Sequence, residues 1–298
     1  MLNCQMFATG MKRLLLLIAL TCALAVQLNA QTTNPIPGLS GIVNLPDRKC
    51  ALLEARDARL HSYLRHLIMS EGERSLEVEV LHINPERGTV ELRVAGSNTV
   101  IALGSETNAT TADTPAIALE KANFNSVLDL YAEFSGRTAL QFPSLPASTF
   151  TLRAPAANRA EAAKVLEQAM ADRDVVTIPH GEKFVLIVPK AQATFAGEHL
   201  AENKLAVPGE NQTLPPGFVN MIGADLSQVL PIYADLVGRK LERNDSLRLL
   251  VVPIAFRNQT SLTKAEVVHA MDVLLRWRGI AVVPEGDDLI KPVLVSPK

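Results

Sequence analysis

The stretch VLDLYAEFSGR, residues 127–137, returns 102 positions later as VLPIYADLVGR, residues 229–239. Aligning the longer segments 122–137 and 224–239 gives 7 identities in 16 positions. In both segments the apolar residues recur at spacings of three and four, which places them on one face of a helix. The repeated phrase therefore predicts the same amphipathic helix in two parts of the chain.

The residues that flank each helix indicate where it begins and ends. Asn123 and Asp225 precede the first turns, and their short side-chain oxygens can accept from unpaired backbone N–H groups. Gly136 and Gly238 follow the last turns, where a left-handed glycine ends a helix most easily. Pro231 lies inside the second helix and predicts a kink or a shortened first turn, because proline removes a backbone hydrogen bond.

The agreement continues downstream with an offset of 105. NRAE at 158–161 matches TKAE at 263–266, and both are capping-box patterns that open a second helix. VVTIPHG at 175–181 matches IAVVPEG at 280–286, a strand followed by a turn and a returning strand. Each copy predicts the order strand, helix, strand, strand, helix, strand, strand. The predicted fold class is α+β, with two repeated small modules preceded by a small mostly-β module.

Composition and turn residues divide the rest of the chain. Strand patterns at 76–83, 89–94 and 99–103 predict the mostly-β module, although a helix over 53–69 is a competing interpretation of its first half. Two polar or Pro- and Gly-containing stretches read as linkers. The predicted divisions are a signal peptide at 1–30, the β-rich module at 38–103, a linker at 104–115, copy 1 at 116–189, a linker at 190–217 and copy 2 at 218–298.

The N-terminus has the layout of an exported protein. Residues 11–30 read MKRLLLLIALTCALAVQLNA: two cations, a short apolar run and small residues ending at Ala30. This is the layout of a secretory signal peptide, and we expect cleavage after Ala30. A membrane anchor is an alternative but needs about 20 apolar residues. A lipoprotein modified at Cys22 is a further alternative, although Thr21 fits a lipobox poorly.

Charge and cysteine content exclude some classes of protein. The net charge is −2 and the chain has no basic block, which argues against nucleic-acid binding. Two of the three cysteines lie within the predicted leader. Cys50 alone cannot form an internal disulfide, and we expect it to be a small buried apolar residue.

The chain lacks the sequence signatures of catalysis. It contains no nucleophile elbow, P-loop, dinucleotide fingerprint or Cys-x-x-Cys motif. His61 and His66 are five positions apart, whereas a zinc-binding helix presents histidines at i and i+4. His180 aligns with Glu285 and is predicted to be a surface turn residue. The sequence therefore predicts no enzyme, no metal site and no cofactor.

The repeats resemble a known family. The run ANFNSVLDLYAEFSGRTALQF, with NRAEAAKVLEQAM and VVTIPHGEKFVLIVPK after it, is similar to the first periplasmic domain of type II secretion secretins. That domain is related to the signalling domain shared by secretins and TonB-dependent receptors. The first module is similar to the periplasmic homology region of the type II inner-membrane linker protein, which docks on the secretin's first domain. Because the sequence stops at Lys298, directly after the second copy, a secretin pore is not expected.

The resemblance implies a location and a role. It predicts a non-enzymatic periplasmic protein–protein interaction component of a type II secretion or related envelope assembly. The alternative is a periplasmic signalling or transducer protein that uses the same fold to contact a regulator. The implied partners are envelope proteins, such as inner-membrane or secretin components of the secretion system. Membrane association is expected only through those partners.

The candidate contact residues follow from the module pattern. The leading strand of each copy enters from a predicted linker, so we expect it at a sheet margin with free backbone groups. An arginine after a helix can pair with the last carbonyls, or it can meet a partner's carboxylate. Tyr131 and Tyr233 are predicted core residues with the hydroxyl at the rim. The predicted interface residues are Ala118, Leu119, Arg137, Asn220, Met221 and Arg239.

Overall fold

The fold was analysed in a computed structural model. It describes residues 36–56, 64–104, 116–146, 148–200, 205–242 and 253–295. The predicted signal peptide, His61 and residues 105–115 of the first predicted linker lie outside the described residues.

The first part of the chain is built of strands. The strands are β1 (Gly38–Leu45), β2 (Arg48–Arg56), β3 (Leu64–Ser70), β4 (Arg74–Ser75), β5 (Val78–Asn84), β6 (Thr89–Val94) and β7 (Ser97–Ala102). Strands β4 to β7 form an antiparallel sheet in sequence order, as the alternating pattern predicts. The competing interpretation of 53–69 as a helix is wrong. Strands β2 and β3 pair antiparallel from Cys50↔Ser70 to Arg56↔Leu64.

Copy 1 has the predicted order of elements. They are β8 (Ala116–Asn123), α1 (Phe124–Ser135), β9 (Thr138–Gln141), β10 (Thr149–Pro155), α2 (Arg159–Ala171), β11 (Val175–His180) and β12 (Phe184–Pro189). The caps of α1 are those that the sequence indicates. Asn123 accepts from the Ser126 N–H at 2.9 Å, and Gly136 ends the helix with a φ of 69°.

The rest of the chain forms copy 2 and its connection. A short 3-10 turn (Lys190–Gln192) precedes α3 (Ala193–Glu198) and β13 (Thr213–Leu214). Copy 2 contains β14 (Asn220–Ala224), α4 (Leu226–Val237), β15 (Lys240–Leu241), β16 (Ile254–Arg257), β17 (Leu262–Thr263), α5 (Lys264–Arg276), β18 (Ile280–Glu285) and β19 (Leu289–Leu294). Helix α4 has 12 residues, as α1 has, so Pro231 does not shorten it.

The strand pairing confirms the duplication. Strand β9 runs parallel to β12, and β15 runs parallel to β19. The pairs Thr138↔Phe184 and Lys240↔Leu289 are equivalent, because their members differ by the offsets of 102 and 105. The antiparallel pairs β8–β10 and β14–β16 both contain a register shift. The two copies are therefore one module in the same topology.

A sheet joins the first module to copy 1. Its strand order is β10-β8-β1-β2-β3, so β1 and β8 pair across the predicted boundary between 38–103 and 116–189. Cys50, in β2, is fully buried as predicted, and burial raises the pKa of its thiol to about 12. Strands β1 to β3 of the β-rich module thus form one end of a sheet that the first copy completes, whereas β4 to β7 form a separate sheet.

The two copies share a hydrophobic core. Val185 and Ile187 face the cluster that contains the helices of copy 1. Phe184, Leu186 and Val188, on the other face of β12, belong to the cluster formed with copy 2. This explains why β12 is apolar at successive positions, since strands buried on both faces do not alternate.

The described residues of the predicted linker 190–217 contribute to this shared core. Ala196 and Leu214 are buried in it. Trp277 is the C-cap residue of α5, and its indole N–H donates to the Ala196 carbonyl oxygen at 3.2 Å. The segment therefore packs against copy 2 as well as connecting the two copies.

Candidate functional site

The predicted margin of copy 1 is an internal strand. Ala118 pairs with Arg153 of β10 on one side and with Ile42 of β1 on the other. Leu119 is 1% exposed and lies in the core. The prediction of a free edge at Ala118 and Leu119 is therefore wrong, because the first module supplies the strand that covers it.

The equivalent strand of copy 2 has an open edge. On one side Asn220 pairs with Arg257, and Met221 pairs with Phe256. None of the described strands pairs with the other side of β14. The Asn220 side chain is exposed, whereas Met221 is buried in the core. The edge prediction thus holds for copy 2 within the described part of the chain.

Asn258 fixes the direction in which this edge points. The Val219 N–H donates to Asn258 Oδ1 at 2.8 Å, and the Val219 carbonyl accepts from the Asn258 N–H at 3.1 Å. Asn258 Nδ2 also donates to the Pro215 carbonyl at 2.7 Å. Both backbone groups of Val219 therefore face β16. Because these groups alternate along a strand, those of Asn220 face the open side.

A large apolar side chain lies beside the open edge. Phe218 lies two residues before the start of β14 and is 63% exposed. Its counterpart in copy 1 is Ala116, which pairs with Asn44 of β1. An exposed aromatic ring next to unpaired backbone groups is typical of a surface that another chain covers.

The two arginines lie apart from this edge. Arg239 Nη1 donates to the Gly286 carbonyl at 3.1 Å within copy 2. Arg137 is half-buried behind α1, and its guanidinium has no carboxylate partner among the described residues. The six predicted interface residues therefore do not converge on one site. Asn220 and Met221 are the ones that belong to an open strand.

An ion pair joins the copies beside a cleft. Arg257 Nη1 lies 3.0 Å from Asp129 Oδ2, at the wall of a cleft of about 460 Å³ that also contacts His66 and Gly217. Desolvation raises the pKa of the Asp129 carboxyl, and the charge of Arg257 opposes that shift. Sequence analysis missed this contact, although the replacement of Asp129 by Pro231 in copy 2 was a visible signal of a difference between the copies.

A histidine pair is another polar contact between the copies. His180 is half-buried, and its Nε2 lies 2.7 Å from Nε2 of His269. Burial lowers the pKa of His180. The pKa of His269 is lowered by burial first and by the charge of His180 second. His180 is therefore a contact between the copies, whereas the sequence predicts a surface turn residue.

The described residues contain no group of three or more histidine, cysteine, aspartate or glutamate side chains that could hold a metal ion. No helix among them has the length and apolar character needed to cross a membrane. No protein-family model and no curated protein matches the chain. What the site offers chemically is a strand with backbone donors and acceptors available to another chain.

Proposed function

We propose that this chain is a non-enzymatic, periplasmic protein–protein interaction component of a type II secretion or related envelope assembly. The observation that supports this most is the difference between the two copies. Strand β8 has both edges paired, whereas its counterpart β14 is paired on one edge among the described residues. An open strand next to an exposed phenylalanine is suited to binding a protein by strand addition.

The docking of the first module on copy 1 gives further support. Its sequence resembles a module that binds secretin N-terminal domains, and its strand β1 pairs with β8 in the sheet of copy 1. Within its described residues, one chain thus contains both a docked module and a second copy with the corresponding edge open. Such a chain could connect two components of an envelope assembly.

The test is affinity capture from a bacterial envelope extract with the purified protein, followed by mass spectrometry. We expect enrichment of secretion-system components, such as a secretin or an inner-membrane linker protein, relative to a column without the protein. Enrichment of sigma-factor regulators or TonB-dependent receptors would favour the signalling alternative. Absence of both groups in chemically crosslinked extract would refute the proposed function.

A further inference from the structure

We infer that the open edge of β14 binds an extended segment of a partner protein, antiparallel and in the register that β1 takes on β8. This inference rests on the proposed function and names the kind of partner that the site accepts. The inference is based on the structural equivalence of strands β8 and β14 in the two copies.

Copy 1 shows how the edge is filled. Strand β1 pairs with β8 over four positions, from Gly41↔Leu119 to Asn44↔Ala116. With the offset of 102, the corresponding positions in copy 2 are Met221, Asn220, Val219 and Phe218.

The backbone of the two edges is also equivalent. Leu152↔Leu119 in copy 1 corresponds to Phe256↔Met221 in copy 2. The register shift next to these pairs contains a residue with positive φ in both copies, Lys121 at 51° and Gly223 at 65°. At Asn220 and Met221 an incoming strand therefore meets the arrangement of backbone groups that β1 meets at Ala118 and Leu119. Phe218 and Val219 precede β14, and the Phe218 N–H donates to the Pro215 carbonyl at 3.1 Å.

The side chains along the edge specify the partner segment. A Cβ atom at Gly41 would lie 2.6 Å from Leu119 Cδ2 and 3.1 Å from the Ala118 carbonyl oxygen. On β14 the corresponding groups are Met221 and the Asn220 carbonyl, so the partner carries glycine or another small residue at that position.

Phe218 sets the other end of the pattern. It replaces Ala116 of copy 1 and is 63% exposed. Phe218 lies in the turn that precedes β14, and an apolar residue of the partner beside it would bury the exposed ring. The partner segment therefore has a small residue facing Met221 and, three positions later, an apolar residue facing Phe218.

The partner is a different protein, not the β1 strand of a second copy of this chain. Strand β1 is already paired on both edges, with β2 and with β8. Donating it to another molecule would break the five-stranded sheet that holds copy 1 and the first module together. A separate extended segment makes the same backbone contacts without that loss.

The experiment uses the purified protein and a capped synthetic peptide, GLSGIVLL, which has the sequence of β1 with the substitution Asn44→Leu at the position that meets Phe218. Amide hydrogen exchange and NMR titration should show protection of the Asn220 N–H when the peptide binds. Asn220→Pro removes this donor and should weaken binding about tenfold. The matched control Asn220→Ala keeps the N–H and should bind like the parent.

Two altered peptides test the pairing independently of the protein's folding. Methylation of the Ile42 amide nitrogen removes the donor opposite Asn220 and should weaken binding about tenfold. A Gly41→Val peptide should lose about tenfold because it overpacks the edge. Equal binding of the methylated peptide and the parent peptide would overturn the inference, and equal binding of the valine peptide would overturn the register.

Other outcomes separate this inference from the proposed function. A parent protein that sediments as a dimer, with Asn220 protected before peptide is added, would replace the partner segment by a second copy of the chain. Failure of the peptide to protect β14 up to its solubility limit would also overturn the inference. If the peptide binds as expected but no envelope component is captured, the inference stands and the proposed function fails. If captured envelope components bind Asn220→Pro as well as the parent, the inference fails and the proposed function stands.

Discussion

The position shared by Leu186 and Lys291 provides a test of how the two copies are joined. The two residues are equivalent by the offset of 105, yet Leu186 is 1% exposed and Lys291 is half-exposed. Leu186 lies in the core shared with copy 2, whereas Lys291 contacts Glu242 at 3.0 Å on the outer face. Substitution at Leu186 should therefore destabilise the protein strongly, whereas substitution at Lys291 should have little effect.

Replacing Leu186 should destabilise the protein strongly. Leu186→Ala removes a fully buried side chain and should lower the free energy of unfolding by about 2–5 kcal/mol. Leu186→Lys should cost at least as much, because it places an unpaired ammonium in the core, where the penalty is several kcal/mol. Such losses are large against the roughly 5–15 kcal/mol that stabilise a typical domain. The matched control Lys291→Leu should leave the urea midpoint almost unchanged.

Trp277 provides the assay. It is the only tryptophan of the chain, it is 6% exposed, and it lies in the same core with its ring 5.3 Å from that of Phe142. Urea unfolding followed by its fluorescence therefore reports on the joint between the copies, and circular dichroism reports on the whole chain. A Leu186→Lys protein with the midpoint of the parent would refute the shared core. A large loss in Lys291→Leu would refute the equivalence of the two faces.

Three further predictions address other contacts. Tyr131→Phe should lower the free energy of unfolding by about 1 kcal/mol, because the hydroxyl donates to Glu167 Oε1 at 2.6 Å and that half-exposed carboxylate can be rehydrated. Tyr131→Ala should lower it by about 3–5 kcal/mol in the same urea titration. A Tyr131→Ala midpoint equal to that of the parent would contradict the core position of Tyr131. Burial lowers the pKa of His180 and His269 below 6.5. The unfolded chain therefore binds more protons at these two residues, and the free energy of unfolding should fall as pH drops through 6.5 toward the folded pKa values. His269→Gln should flatten this pH dependence, and an unchanged slope would exclude the histidine pair as its cause. N-terminal sequencing of the exported protein should begin after Ala30, and an intact leader in the inner membrane would indicate an anchor.

Short-range patterns account for the elements that the sequence predicts well. Caps, apolar periodicity and terminal glycines act within a few residues of each other. The segments 122–137 and 224–239 therefore each specify the helix locally, although the two copies have different tertiary surroundings. The buried Tyr131 and Tyr233 follow from the same periodicity. The same local logic gives the duplication, because the copies differ by constant offsets.

The tertiary structure decides which of two similar surfaces is covered. Local patterning makes the leading strands of the two copies look alike, but β1 pairs with β8 from more than 70 residues away. Such long-range pairing depends on which other strand of the chain reaches the edge. The residue pattern within the leading strand therefore does not indicate whether its edge is covered.

The exposed faces of the two sheets also differ because of tertiary packing. Phe184 and Leu186 are buried because copy 2 packs on them, whereas the equivalent Leu289 and Lys291 are partly exposed among the described residues. By itself the sequence determines a duplicated α+β module, and only the tertiary pairing of β1 with β8 determines that, among the described strands, β14 rather than β8 keeps an open edge.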